Sequence, residues 1–103
     1  MEKYKLLSVE EINSEKRFKA TFSDGSITYF GKTNPTFGTY IDNVKENKRR
    51  KENYILRHRK DLETNNPKRA GFLSMFLLWN KSSLEKSIID YNKRIRKNNW
   101  TLP

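Results

Sequence analysis

The first third of the chain alternates hydrophobic and polar positions in the manner of β-strands. In the stretch "RFKATFS", Phe18, Ala20 and Phe22 fall on one face, because successive side chains point to opposite faces of a strand. The pair Asp24-Gly25 then gives a strong hairpin signal, since glycine adopts a positive φ at low cost. With "KYKLLSV" before it and "SITYFG" after it, this pattern predicts a three-stranded antiparallel meander over residues 1–31.

Residues 32–41 are predicted to form a loop, and a long helix is predicted to follow it. Glycine, proline and asparagine are frequent in "GKTNPTFGTY", and they interrupt both kinds of regular structure. From Asp42 the chain runs for 22 residues without glycine or proline. The apolar stripe of this helix is sparse, with Val44, Ile55 and Leu62 as its main members, so most of its surface should face water or a partner.

Two further helices are predicted, which brings the helical part to residues 42–97 and leaves a tail at 98–103. The second helix starts at Asn66, a good N-cap, with Pro67 at the first helical position, and continues through Trp79. The third begins with a capping box, in which Ser82 and Glu85 cap each other's backbone N–H groups. Apolar residues then recur along it at helical spacing: Leu84, Ile88, Tyr91 and Ile95.

The run Gly71–Trp79 stands out because its one polar residue is Ser74, in a chain with a mean hydropathy of -0.99. It is too short for a transmembrane helix, which needs about 20 apolar residues. The flanking helices carry narrow apolar stripes, so this run should supply the core and be covered by the hairpin and by its neighbouring helices. Trp100 in the tail is predicted to anchor onto the domain or onto a neighbouring molecule.

Composition supports one small folded domain spanning residues 1–103. Six Phe, five Tyr and two Trp are far more aromatic residues than a solvated tail carries, although charged residues make up 33% of the chain. The fold class that we expect is α+β, a small three-stranded antiparallel meander followed by three helices. The chain has no cysteine, and "MEKYKLLSVEE" has no apolar run of signal-peptide length, so we expect a protein that is not secreted.

The sequence offers little for enzyme chemistry. His58 is the only histidine and lies among like charges in "RHRK", where it is expected to be a solvent-facing helix residue. Paired carboxylates, a glycine-rich phosphate loop and a nucleophilic serine elbow are all missing, and one histidine with scattered acids makes a poor metal site. We therefore expect no catalytic residues, no metal site and no cofactor.

The positive charge is confined to the second half of the chain. Residues 1–47 hold seven Lys/Arg and seven Asp/Glu, whereas residues 48–103 hold 15 Lys/Arg and five Asp/Glu, so 15 − 5 accounts for the whole net charge of +10. Such weakly compensated charge indicates an anionic partner, because the cations would otherwise repel one another. The basic clusters give the predicted partner-binding residues: Lys48, Arg49, Arg50, Lys51, Arg57, Arg59, Lys60, Lys68, Arg69, Lys93, Arg94, Arg96 and Lys97.

Two kinds of partner would satisfy this charge, nucleic-acid backbone and an acidic protein surface. Nucleic acid is the commoner partner, and its binding would depend on salt through counterion release. The sequence carries no recognisable motif for reading bases, neither an RNP-like aromatic pattern nor zinc-finger spacing nor a clear helix-turn-helix. Contacts to phosphate rather than to bases are therefore expected.

The C-terminal half resembles a known family in its motif pattern. A helical block ending "YILRHRK" is followed by an Asn-Pro helix start and then by "LLWNK", "SLE" and "DYNKR". The "FG" at Phe30-Gly31 and the "GTYIDN" after it extend the pattern, so that it covers residues 16–96. In these features the chain resembles a family of small basic proteins of unknown function from large nucleocytoplasmic DNA viruses, the giant viruses. Members more often carry a tryptophan before the helix start, which "LETNNP" lacks.

The resemblance implies a viral protein without catalytic residues, located in the virion or in the cytoplasm or nucleus of the infected cell. We therefore expect a non-enzymatic virion component, such as a minor capsid protein, whose basic helices dock on acidic capsid proteins or on nucleic acid. The main alternative is a DNA- or RNA-binding protein without sequence preference that acts inside the infected cell. An inhibitor or adaptor of a host protein is a third class.

Overall fold

The computed structural model describes residues 4–33 and 38–101, which form a three-stranded sheet followed by three helices. The strands are β1 (Leu6–Glu11), β2 (Lys16–Phe22) and β3 (Ile27–Lys32), paired antiparallel in the order β1-β2-β3. This confirms the α+β prediction. Parts of the predicted meander, loop and tail, namely residues 1–3, 34–37 and 102–103, lie outside the described residues.

One face of the sheet is buried, as the alternation in β2 predicts. Phe18, Ala20 and Phe22 are all at most 3% exposed, and Phe30 lies across from Phe18 with the two rings stacked 5.4 Å apart. Gly25 adopts φ +90° in the β2–β3 turn. This is the positive φ that makes an Asp-Gly pair favourable in a hairpin turn.

The first helix, α1, covers Val44–His58 and begins at the N-cap Asn43, whose side chain accepts a hydrogen bond from the Glu46 N–H. The prediction of one helix over residues 42–63 is wrong at its C-terminal end. There the chain tightens into a 3₁₀ segment, Arg59–Thr64, which a left-handed Asn65 terminates. Leu62, in this segment, is half-buried and packs against the core.

The second helix starts later than predicted. It runs as α2 over Ala70–Leu73 and continues as one π-helical turn, Ser74–Leu78; we call the two parts together the central helix. Asn66 caps a turn instead of the helix, since its side chain accepts from the Lys68 N–H. The Tyr91 hydroxyl donates to the Pro67 carbonyl at 2.8 Å, which ties the segment before α2 to the third helix.

The third helix, α3, covers Leu84–Lys97, and its N-cap is Ser83 rather than the predicted Ser82. The Ser83 side chain accepts from the Lys86 N–H at 3.2 Å, so Glu85 falls one position too early for a capping box. Two adjacent serines offer two possible caps, and the second one caps the helix. The predicted apolar stripe is confirmed, with Tyr91 and Ile95 buried and the rest of it packed against the core.

The apolar run in the middle of the second half forms the core, as predicted. Phe72, Leu73 and every residue from Met75 to Trp79 are at most 5% exposed. The central helix contacts the sheet through β3 and contacts both α1 and α3. Trp100 anchors the tail to this core, with its ring 5.0–5.2 Å from the rings of Phe72, Phe76 and Tyr91.

Candidate nucleic-acid interface

The thirteen predicted partner-binding residues divide into two groups in the structure. Four are half-buried and have partners inside the fold: Arg50, Lys51, Lys68 and Arg94. The other nine are exposed, and within residues 4–33 and 38–101 their side chains take part in no hydrogen bond or ion pair. We call them the exposed basic set: Lys48, Arg49, Arg57, Arg59, Lys60, Arg69, Lys93, Arg96 and Lys97.

Lys51 joins α1 to the end of the central helix. Its ammonium donates to the Asn80 carbonyl at 2.6 Å and lies 4.6 Å from the centre of the Tyr40 ring. Burial lowers the pKa of Lys51, and the nearby charge of Lys81 lowers it further. These contacts give Lys51 a structural role between two elements.

Lys68 and Arg94 are likewise bound within the fold. The Lys68 ammonium forms an ion pair with Asp24 in the hairpin turn, and its hydrogen bond lowers the pKa of that carboxyl. Arg94 pairs with Asp90 at 2.7 Å and donates to the Thr101 carbonyl at 2.8 Å, which fastens the tail to α3. Lys68 therefore connects two segments that are distant in the sequence, and Arg94 holds the tail against α3.

The exposed basic set is distributed over the helical half. Five members lie on α1 and the 3₁₀ segment, Arg69 precedes α2, and three lie on α3. On α3, Lys93, Arg96 and Lys97 project away from the buried Tyr91 and Ile95, since residues three or four apart share one side of a helix. α3 thus presents a basic face to solvent.

A groove with a volume of about 520 Å³ lies between α1, the end of β3 and the central helix. We call it the α1 groove. Four of its lining residues lie on α1 at a spacing that places them along one side of the helix: Arg50, Tyr54, Arg57 and His58. Lys32, at the end of β3, also lines it. Its described lining residues include three Lys/Arg and no carboxylate.

Arg50 is fixed in the wall of this groove. Its Nη1 donates to the Asn47 side-chain oxygen at 2.6 Å and to the Gly38 carbonyl at 3.2 Å, and its guanidinium lies 5.4 Å from the centre of a Trp79 ring. Asn47 is itself buried and donates to the Thr39 carbonyl at 3.0 Å. A guanidinium held in this way is pre-oriented before any ligand arrives.

Three stacked rings form another part of the groove wall. The Tyr54 ring lies 4.6 Å from Trp79 and 4.2 Å from His58, at interplanar angles of 10° and 26°. The His58 side chain is 42% exposed, and its Nδ1 lies 3.5 Å from a carboxylate oxygen of Asp61. Burial raises the pKa of Tyr54 to about 12, so its phenol is neutral at physiological pH.

The opposite side of the groove comes from the end of β3 and from the π-helical turn. Gly31 has φ +85°, and a Cβ there would lie 3.3 Å from the Phe18 ring and 3.4 Å from Leu78, so a larger residue would be strained and crowded. Ser74, Leu78 and Trp79 reach the groove from the π-helical turn and the residue after it. Single π-helical turns occur frequently at functional sites.

Sequence reasoning did not identify this groove. The sequence places Lys32 in the neutral half and predicts His58 as a solvent-facing helix residue and Trp79 as part of the core. The core assignment of Trp79 is confirmed, since the residue is 5% exposed, yet it also lines the groove. The spacing of Arg50, Tyr54 and His58 at i, i+4 and i+8 was the available signal, because it places a cation and two rings on one face.

Metal-ion clusters and membrane-spanning helices are both missing from the described residues. Within the described ranges, no three His, Cys, Asp or Glu residues come together in a way that could hold a metal ion. No helix in the described part of the chain is long and apolar enough to cross a membrane. The chain matches no protein-family model, no curated protein and no solved structure.

Proposed function

We propose that this protein is a non-enzymatic structural component of a virus particle and that its basic helices dock on the phosphate backbone of nucleic acid. The viral setting rests on the motif resemblance. The observation that carries the binding proposal is the exposed basic set, nine cationic side chains without an internal partner in the described part of the chain. A polyanion would relieve their mutual repulsion and release its own counterions.

The distribution of these cations favours phosphate over an acidic protein surface. Interfaces between proteins have an apolar centre surrounded by a polar rim. The basic helices offer large exposed hydrophobic residues only singly, Leu56 on α1 and Ile89 on α3, among the described residues. Long basic side chains spread over several helices suit a repeating, sequence-independent backbone.

Affinity for random-sequence duplex DNA, measured by fluorescence anisotropy across a salt series, tests this proposal. We expect the logarithm of the association constant to fall linearly with the logarithm of salt concentration, with a slope of about −0.9 per neutralised phosphate. The variants Arg49→Gln and Lys93→Gln should each reduce the size of that slope by about one. Lys16→Gln, which removes the same charge from β2 in the neutral half, is the matched control and should leave the slope unchanged.

Absence of DNA binding at about 150 mM salt would overturn the nucleic-acid proposal. Retention on immobilised polyglutamate under the same conditions would then favour docking on acidic capsid proteins. The placement in the virion is tested separately by mass spectrometry of purified particles, and a protein found only in infected-cell extract contradicts it.

A further inference from the structure

The α1 groove combines one fixed guanidinium, that of Arg50, and two exposed cations with stacked aromatic rings, and this combination is specific enough to name a ligand class. We infer that the groove binds single-stranded nucleic acid, with a backbone phosphate beside Lys32 and Arg57 and one base stacked on His58. The inference rests on the proposed function, because it assumes that the protein binds nucleic acid, and it adds a preference for single strands.

The electrostatics of the groove suit a phosphate. Lys32 and Arg57 come from different elements and both are exposed, and neither side chain has a hydrogen bond or ion pair within the described ranges. Arg50 stands beside them in an orientation that Asn47 and Gly38 fix. With no carboxylate among the described lining residues, an entering phosphate meets attraction from both sides of the groove.

The aromatic wall suits a base. Trp79 and Tyr54 are packed into the fold, whereas His58 is the exposed end of the three-ring cluster. A flat base placed on His58 would extend the existing stack, and base stacking on aromatic side chains tolerates any sequence. The volume of about 520 Å³ lies within the range of about 300–1,000 Å³ that is usual for small-ligand sites.

This arrangement distinguishes single strands from duplexes. In a duplex the bases are paired and stacked on one another, so none is available to His58, and only the backbone can reach the cations. A single strand can insert a phosphate and present its base to the rings at the same time. Positively charged grooves with aromatic platforms are the usual architecture of proteins that bind single strands without sequence preference.

The test compares a fluorescein-labelled oligothymidylate with a duplex of equal length, at one fixed salt concentration, by fluorescence anisotropy. We expect His58→Ala to weaken oligothymidylate binding about tenfold and to leave duplex binding within about twofold. His58→Phe should restore the affinity for the single strand, because it restores a stacking ring. Arg57→Gln should weaken single-strand binding more than Lys97→Gln, which removes the same charge from α3 outside the groove.

Each outcome bears on a different proposal. If His58→Ala leaves single-strand affinity unchanged, or if Arg57→Gln and Lys97→Gln weaken it equally, the groove is not the site, while duplex binding keeps the proposed function intact. If neither oligonucleotide binds the native protein, both proposals fail. If circular dichroism shows that His58→Ala does not fold, Lys32→Gln, at the exposed end of β3, replaces it. The inference is then overturned if Lys32→Gln weakens single-strand binding no more than Lys97→Gln does.

Discussion

Replacing Phe76 by alanine is expected to remove a large part of the stability of the fold. Phe76 has no exposed surface, and its ring lies 5.2 Å from the rings of both Phe72 and Trp100 and 4.8 Å from the Arg94 guanidinium. Truncating a buried phenylalanine to alanine costs about 3–5 kcal/mol, because transfer free energy is lost and a cavity remains. A chain of 103 residues has a total unfolding free energy of about 5–15 kcal/mol.

Urea unfolding followed by circular dichroism and by tryptophan fluorescence measures this loss. For a slope of about 2 kcal/mol per molar urea, a loss of about 4 kcal/mol moves the midpoint down by about 2 M. Phe76→Asp should not fold at all, since it adds a carboxylate to an apolar site. Leu56→Ala is the control, because Leu56 is 63% exposed on α1 and should change stability by at most about 0.5 kcal/mol.

The result that would refute this reasoning is a Phe76→Ala protein with an unchanged urea midpoint that has lost nucleic-acid binding. The apolar run Gly71–Trp79 would then be an interface rather than the core of the domain. A midpoint shift no larger than that of Leu56→Ala would lead to the same conclusion.

Three further predictions follow from internal contacts of charged and phenolic side chains. Lys51→Met should lower the unfolding free energy by about 2 kcal/mol in urea, because the Asn80 carbonyl loses a charged donor, with little change in DNA affinity. Hydrogen bonds from Arg17 hold the pKa of Asp42 well below its ordinary value, so this pair stabilises the fold above about pH 4 and less as the pH falls further. Asp42→Asn should therefore lower the urea midpoint at pH 7 and flatten its decline in acid. In an absorbance titration at alkaline pH, Tyr54 should contribute an ionisation near pH 12, and this contribution should be missing in Tyr54→Phe.

Each of these expectations has a contrary outcome. If Lys51→Met keeps its stability but binds DNA more weakly, Lys51 is a binding residue rather than a structural one. Lys48→Met, at an exposed position on α1, is the control for the loss of one charge. If the urea midpoints of the wild-type protein and of Asp42→Asn fall in parallel as the pH is lowered, the Arg17 contact adds nothing to pH-dependent stability. If the absorbance titration near pH 12 is the same in Tyr54→Phe as in the wild-type protein, that ionisation belongs to another tyrosine.

Local patterns in the sequence were sufficient to predict the three strands and three helices of this fold, but not the 3₁₀ segment or the π-helical turn. The alternation around Phe18 and the Asp24-Gly25 turn predicted the hairpin correctly, since both signals act between residues close in sequence. The same holds for the apolar stripe of α3. Errors occurred at helix ends, where several neighbouring residues can form a cap. The predicted cap Asn66 accepts from the Lys68 N–H in a turn instead, and of two adjacent serines it is Ser83 that caps α3, since a local capping signal fits more than one position.

The sequence by itself also determined that the helical half is basic and that the apolar run is the core, because composition and hydrophobicity are properties of residues. Only the tertiary structure decided which of the cations are exposed and which have partners inside the fold. Lys51 and Lys68 read as binding residues in the sequence, but their partners lie 29 and 44 positions away. The α1 groove depended on tertiary structure for the same physical reason. Lys32 and Arg57 both line it because β3 and α1 each contact the central helix, and no local pattern encodes that arrangement.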